Sequence, residues 1–145
     1  MNTPMKKLSP LLLAAVLTAW TFAASAQAMD AGEWEFTTTM TSPMLPKPQS
    51  ATTSQCISKE DAADPTRFAS NDQTQGCTIK PGKRGAGTYE WGVTCPVQGL
   101  TGDGKLKYTR NTMEAEIKMR MDMQDTKMDM LSKVSGRWMG ACKTK

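Results

Sequence analysis

The chain contains no histidine among its 145 residues. That absence removes the commonest general base, and with it every Ser–His and Cys–His nucleophile pair. No C-x-x-C spacing occurs either, so the sequence does not point to a structural zinc site. Neither a Walker-type loop nor a dinucleotide fingerprint is present. Aromatics are scarce, at 6%. Charge of one sign is also scarce: 18 Lys and Arg stand against 14 Asp and Glu, a formal net charge of +4. Two of the lysines, Lys6 and Lys7, belong to the leader described below, which leaves +2 on the remainder. So small an excess does not argue for a nucleic-acid partner or a membrane surface. The composition is read as that of a non-enzyme with no cofactor.

The one long apolar stretch lies at the N-terminus. Lys6 and Lys7 precede a run from Leu11 to Ala24, which ends in Ala24-Ser25-Ala26-Gln27-Ala28. Small residues at Ala26 and Ala28 match the A-x-A pattern of signal-peptide cleavage, and Ala24 with Ala26 offers a site two residues earlier. The run is short of the roughly 18 to 20 apolar residues that span a bilayer. Residues 1–28 are therefore expected to be a cleaved signal peptide. Residues 29–145 are expected to be a single periplasmic domain with no stable membrane insertion, monomeric, and large enough for one modest core.

All four cysteines, Cys56, Cys77, Cys95 and Cys142, follow the leader. An even count in an exported small domain reads as two disulfides. Three pairings are possible. Cys77–Cys95 with Cys56–Cys142 is favoured, because residues 77–95 read as a hairpin around Gly85-Ala86-Gly87 whose ends face each other.

Apolar and polar residues alternate along most of the remaining chain. Trp34, Phe36, Thr38 and Met40 form one set; Tyr89, Trp91, Val93 and Cys95 another; Leu106 and Tyr108 a third. Met113, Ala115, Ile117, Met119, Met121 and Met123 form the longest. Period two is the signature of an antiparallel strand with one buried face. Ser42 to Ser50 contains Pro43, Pro46 and Pro48 and is expected to be an extended loop. Ser58 to Ala63 is expected to be a short helix with Ser58 as N-cap, stopped at Pro65. Residues 66–76 read as irregular.

Residues 113–134 pose a conflict. They are rich in Met, Glu, Lys, Ala and Leu, all good helix formers. On a helix, however, strict alternation would smear the apolar groups around the axis; on a strand it gathers them on one face. The periodicity predicts two strands joined by a turn at Gln124 to Lys127. That turn sets Met123 opposite Met128, Met121 opposite Met130, and Ile117 opposite Val134.

Several short motifs occur in a particular order: Gly32-Glu33-Trp34-Glu35, Gln55-Cys56-Ile57-Ser58-Lys59-Glu60-Asp61-Ala62, Trp91-Gly92-Val93-Thr94-Cys95-Pro96, Leu100-Thr101-Gly102-Asp103-Gly104 and Ser135-Gly136-Arg137-Trp138-Met139-Gly140-Ala141-Cys142. In this order and spacing they resemble an exported bacterial family known as domain of unknown function 3617. The resemblance covers nearly the whole chain after the leader. It implies a mostly antiparallel β domain and assigns no activity, so no site residue is carried over from it. The expected fold is all-β: six or seven antiparallel strands in a curved sheet or partial barrel, one short helix between the second and third strands, and two disulfides.

Ten of the twelve methionines follow the leader. Five of them, Met119, Met121, Met123, Met128 and Met130, gather on one face of the expected hairpin. Three readings stand. They can fill a core against aromatics, or line a surface that adapts to an apolar small molecule or an envelope protein. As soft thioethers they can also hold Cu(I) as its ligands. Asp122 and Asp129 are expected to be cross-strand neighbours on the wet face, which is an arrangement for acid/base work only if one of them is buried. Gly82 to Gly87 reads as a basic hairpin turn in preference to a phosphate cradle. Trp138 and Met139 face opposite ways, and Trp138 is expected to be a half-buried edge residue.

Overall fold

The computed structural model describes residues 29–69 and 76–143. The expected signal peptide lies outside the described residues, as does the polar stretch 70–75. Seven strands form: β1 (Gly32–Thr41), β2 (Gln49–Ile57), β3 (Thr78–Gly85), β4 (Thr88–Cys95), β5 (Leu100–Tyr108), β6 (Thr112–Met123) and β7 (Thr126–Gly140). One short helix, α1 (Lys59–Ala63), sits between β2 and β3. All pairings are antiparallel, in the order β2-β1-β7-β6-β5-β4-β3. β2 and β3 remain as the two edges, so the sheet is open.

The topology explains where the helix goes. β3 to β7 form a meander, and the β1–β2 hairpin docks through β1 onto β7. The connection from β2 to β3 must therefore run from one edge of the sheet to the other. It carries α1 and a 3₁₀ turn, Pro65–Ala69, across one face, called here the inner face. Ser58 caps α1 as expected: its Oγ accepts from the Asp61 N–H at 3.1 Å and donates to the Asp61 carboxylate at 2.9 Å. Pro65 ends α1 and begins the 3₁₀ turn, so part of the stretch expected to be irregular has regular structure.

The core lies between this connection and one end of the inner face. Trp34, Phe36, Tyr89, Trp91, Leu106 and Met113 from the sheet meet Ala62, Ala69 and Phe68 from the cover. Trp34 is fully buried, and full burial of one such side chain contributes about 2–3 kcal/mol. Its ring stacks on Phe36 at 6.1 Å, and Tyr89 stacks on Trp91 at 5.5 Å. Met29 is also buried, and its N–H donates to the Ala62 carbonyl at 3.1 Å. Asp30 holds Arg110, and Asp64 holds Arg84 at the end of β3, each at 2.9 Å.

In residues 113–134 periodicity prevails over helix propensity, because burying one face of a strand is worth more than the small per-residue preference. The hairpin register differs from expectation by two residues. Met119 faces Met130, Met121 faces Met128, Met123 faces Thr126, and Ile117 faces Ser132. Val134 faces Ala115. The cause is a tighter turn: only Gln124 and Asp125 link the strands, with Gln124 at φ 50, the left-handed backbone that two-residue hairpins use. A slip of two leaves every side chain on its expected face. Both disulfides are those favoured from the sequence, Cys56–Cys142 and Cys77–Cys95.

Candidate functional site

The described part of the cover, residues 59–69, packs on only one end of the inner face. Ile117 and Val134 still pack against the core. Beyond them Met119, Met121, Met128 and Met130 are half-buried and Met123 is 57% exposed. All five methionines singled out from the sequence therefore share one face, as two directly opposed pairs with Met123 at the tip. On β5, Leu100 stands opposite Met121 and Gly102 opposite Met119.

A feature not anticipated from the sequence completes the site. After Cys95 the chain makes a 3₁₀ turn, Pro96–Gln98, closed by Gly99 in the left-handed conformation at φ 59. The Asp122 N–H donates to the Gly99 carbonyl at 2.8 Å, which holds this turn against β6. Val97 at its apex is 89% exposed. Between the turn and the hairpin tip lies an open trough of about 900 Å³, lined by Val97, Met121, Met123 and Met128, with Gln98, Asp122 and Gln124 among its polar groups. The only sequence signal was an apolar residue between Pro96 and Gly99, outside any alternating run.

Two of the sulfurs have contacts that define their direction. The Met119 sulfur lies 2.6 Å from where a Cβ on Gly102 would sit, so the thioether occupies the space over that glycine on β5. The Met128 sulfur accepts from the Ser42 hydroxyl at 3.5 Å, at the end of β1. β5 and β1 flank opposite sides of the β6–β7 hairpin. These two thioethers are therefore splayed apart and do not converge on a common centre. Among the described residues no group of three or more His, Cys, Asp or Glu is placed to hold a metal ion.

The outer face is polar. Charged residues stand directly opposite partners of the other sign: Glu35 with Arg137 at 2.7 Å, Arg120 with Asp129 at 2.8 Å, Glu90 with Lys105 at 3.7 Å, and Asp122 with Lys127 at 3.8 Å. The two-residue register difference changes the acidic pair expected here. Asp122 and Asp129 are not neighbours; each faces a cation. The hydrogen bond from Arg120 holds the Asp129 carboxyl below its usual value, and Asp129 raises the Arg120 guanidinium in turn. A depression of about 810 Å³ has Asp103, Lys118, Arg120 and Asp129 in its lining, together with Met119 and Met130. Its charges neutralise one another across the strands.

Gly82 to Gly85 lie in β3 and Ala86-Gly87 form the hairpin turn, with no helix following. Trp138 is 40% exposed, and its Nε1 donates to the Ala31 carbonyl at 3.1 Å, so it clamps the start of the domain. Met139, turned the other way, is 53% exposed. No described helix is long and apolar enough to cross a membrane.

The family described as "Protein of unknown function (DUF3617)" matches residues 29–142, and the chain belongs to it. No curated protein and no solved structure matches the chain.

Proposed function

We propose that this member of the family is an exported, non-enzymatic binding module of the cell envelope. In this reading its methionine-lined trough takes an apolar ligand or an apolar segment of a partner protein. One observation carries it: Met119, Met121, Met123, Met128 and Met130 share the inner face with the core yet lie beyond the helical cover. A plain core would be covered. Unbranched, polarizable side chains on an open surface adapt to apolar guests of varied shape. The trough's volume falls within the range of ligand sites, about 300–1,000 Å³. Its openness favours an extended chain over an enclosed metabolite.

Export is supported by the leader pattern and by two disulfides, which persist in oxidising compartments. The non-enzymatic reading is supported by the outer-face carboxylates, which face cations across the strands instead of each other. Cu(I) is the competing use of the same residues. Their side-by-side pairing speaks for it; the splay of Met119 and Met128 speaks against a preformed centre.

Native mass spectrometry of protein recovered from the periplasm tests the reading. A bound apolar adduct, absent from a Met121→Asp, Met128→Asp double variant, is the expected result. A bare mass, together with no apolar segment cross-linked at Met123, would contradict it.

A further inference from the structure

The two edges of the sheet are built differently. β3 carries Lys80, Pro81, Lys83 and Arg84, and its pairing with β4 is irregular between Pro81 and Arg84. Charges, a proline and a broken register are the usual means by which an edge strand is prevented from pairing with another chain. β2 has none of them. It runs unbroken from Gln49 to Ile57, in regular register with β1, with no charged residue, proline or glycine. Every residue in it except Ile57 is exposed.

The sequence of this open edge has a second property. Gln49-Ser50-Ala51-Thr52-Thr53-Ser54-Gln55 reads the same from either end, except that Ala51 exchanges with Thr53. An antiparallel strand paired with its own copy about a two-fold axis at Thr52 sets Thr52 against the partner's Thr52. It also sets Ser50 against the partner's Ser54 and Gln49 against the partner's Gln55. Each like pair carries both donor and acceptor, so it can hydrogen-bond to itself, whereas like charges would repel. The outer face already carries the start of such a ladder: Thr37 bonds Thr52 at 3.0 Å and Thr39 bonds Ser50 at 2.8 Å.

We propose that β2 is a self-association edge, through which two copies of this chain pair antiparallel about Thr52 into one continuous sheet. The β2 edge is separated by β1 from the β6–β7 hairpin that carries the trough. Two short strands bury less than the roughly 1,600 Å² of a standard interface, so the dimer is weak. The monomer expected from the sequence is its dilute form.

The test uses sedimentation velocity on the oxidised protein without its leader, up to about 1 mM, the weak end of specific association. The expected result is a monomer that becomes a dimer as concentration rises. Because Thr52 meets itself, Thr52→Lys and Thr52→Glu should each weaken association about tenfold, while an equimolar mixture of the two should restore it. Amide hydrogen exchange across residues 49–55 should slow as concentration rises, which gives a readout that needs no variant. A monomer at every concentration with unchanged exchange, leaving the edge to a strand of another protein, overturns the proposal. So does a dimer that both variants form as readily as the parent.

Discussion

The indole of Trp91 lies across Gly104, its direct partner on the β4–β5 ladder, and occupies the space a side chain would take. Phe36 does the same over Gly136 and Met119 over Gly102. Large groups thus fill the gaps that cross-strand glycines leave in the inner face.

Gly104→Ala is accordingly expected to destabilise the protein by about 2–3 kcal/mol, since the methyl group must displace a buried indole. Urea denaturation followed by tryptophan fluorescence measures it. A loss below about 0.5 kcal/mol, the size of a neutral surface change, would show that the indole moves aside freely.

The disulfides should contribute unequally. Cys56–Cys142 closes a separation of 86 residues and Cys77–Cys95 one of 18. On the chain-entropy model they stabilise by about 4.6 and 3.2 kcal/mol. Double alanine variants are expected to rank in that order by denaturation midpoint. The reverse order would mean that strain or residual unfolded-state structure outweighs loop length.

Asp64 ties the helical cover to β3. Its carboxyl is held below the ordinary 3.8, first by the Thr66 hydroxyl at 2.5 Å and further by the Thr66 N–H and Arg84, against slight burial. A folded-state value below the unfolded one stabilises above the unfolded value, and that contribution is lost as pH falls through the folded value. The difference in Tm between the parent and Asp64→Asn should be constant above about pH 5 and shrink below about pH 4. A difference that grows toward acid would contradict this assignment.

Met29 is 4% exposed, and it is the residue that follows the expected cleavage bond after Ala28. Met29→Asp should cost about 3 kcal/mol or more, because it buries a charge without a partner. Met121→Asp, at a half-exposed site, should cost about 1 kcal/mol or less. Equal losses would place Met121 in the core and remove the trough as a site. Intact mass of the exported protein should correspond to a chain beginning at Met29.

Much of this fold was legible because burial has a short period here. Alternation in 34–40, 89–95 and 113–123 identified strands and their inner faces, even where methionine and glutamate favour a helix. Ser58, Asp61 and Pro65 marked both ends of α1 through capping and the missing proline N–H. The hairpin register was not legible. Gln124-Asp125 lacks the glycine or asparagine that announces a two-residue turn, and a slip of two residues leaves the pattern of facing intact. The trough was half legible. Its methionines follow from periodicity, but Val97 reaches it through a turn held by the hydrogen bond from the Asp122 N–H on β6 to the Gly99 carbonyl, a contact that no local pattern announces. That the described cover packs on the Trp34 end and not on Met119 is a tertiary fact, set by where residues 59–69 lie on the sheet.

Methionine methyl NMR tests the trough most directly. The protein without its leader is labelled at the methionine methyls and titrated with a medium-chain fatty acid below its micelle concentration. The predicted result is a saturable shift of Met121, Met123 and Met128, the methionines that line the trough. The buried Met29 and Met113, and the distant Met139, should stay in place. Shifts spread evenly over all ten methyls, or none at all, would contradict it.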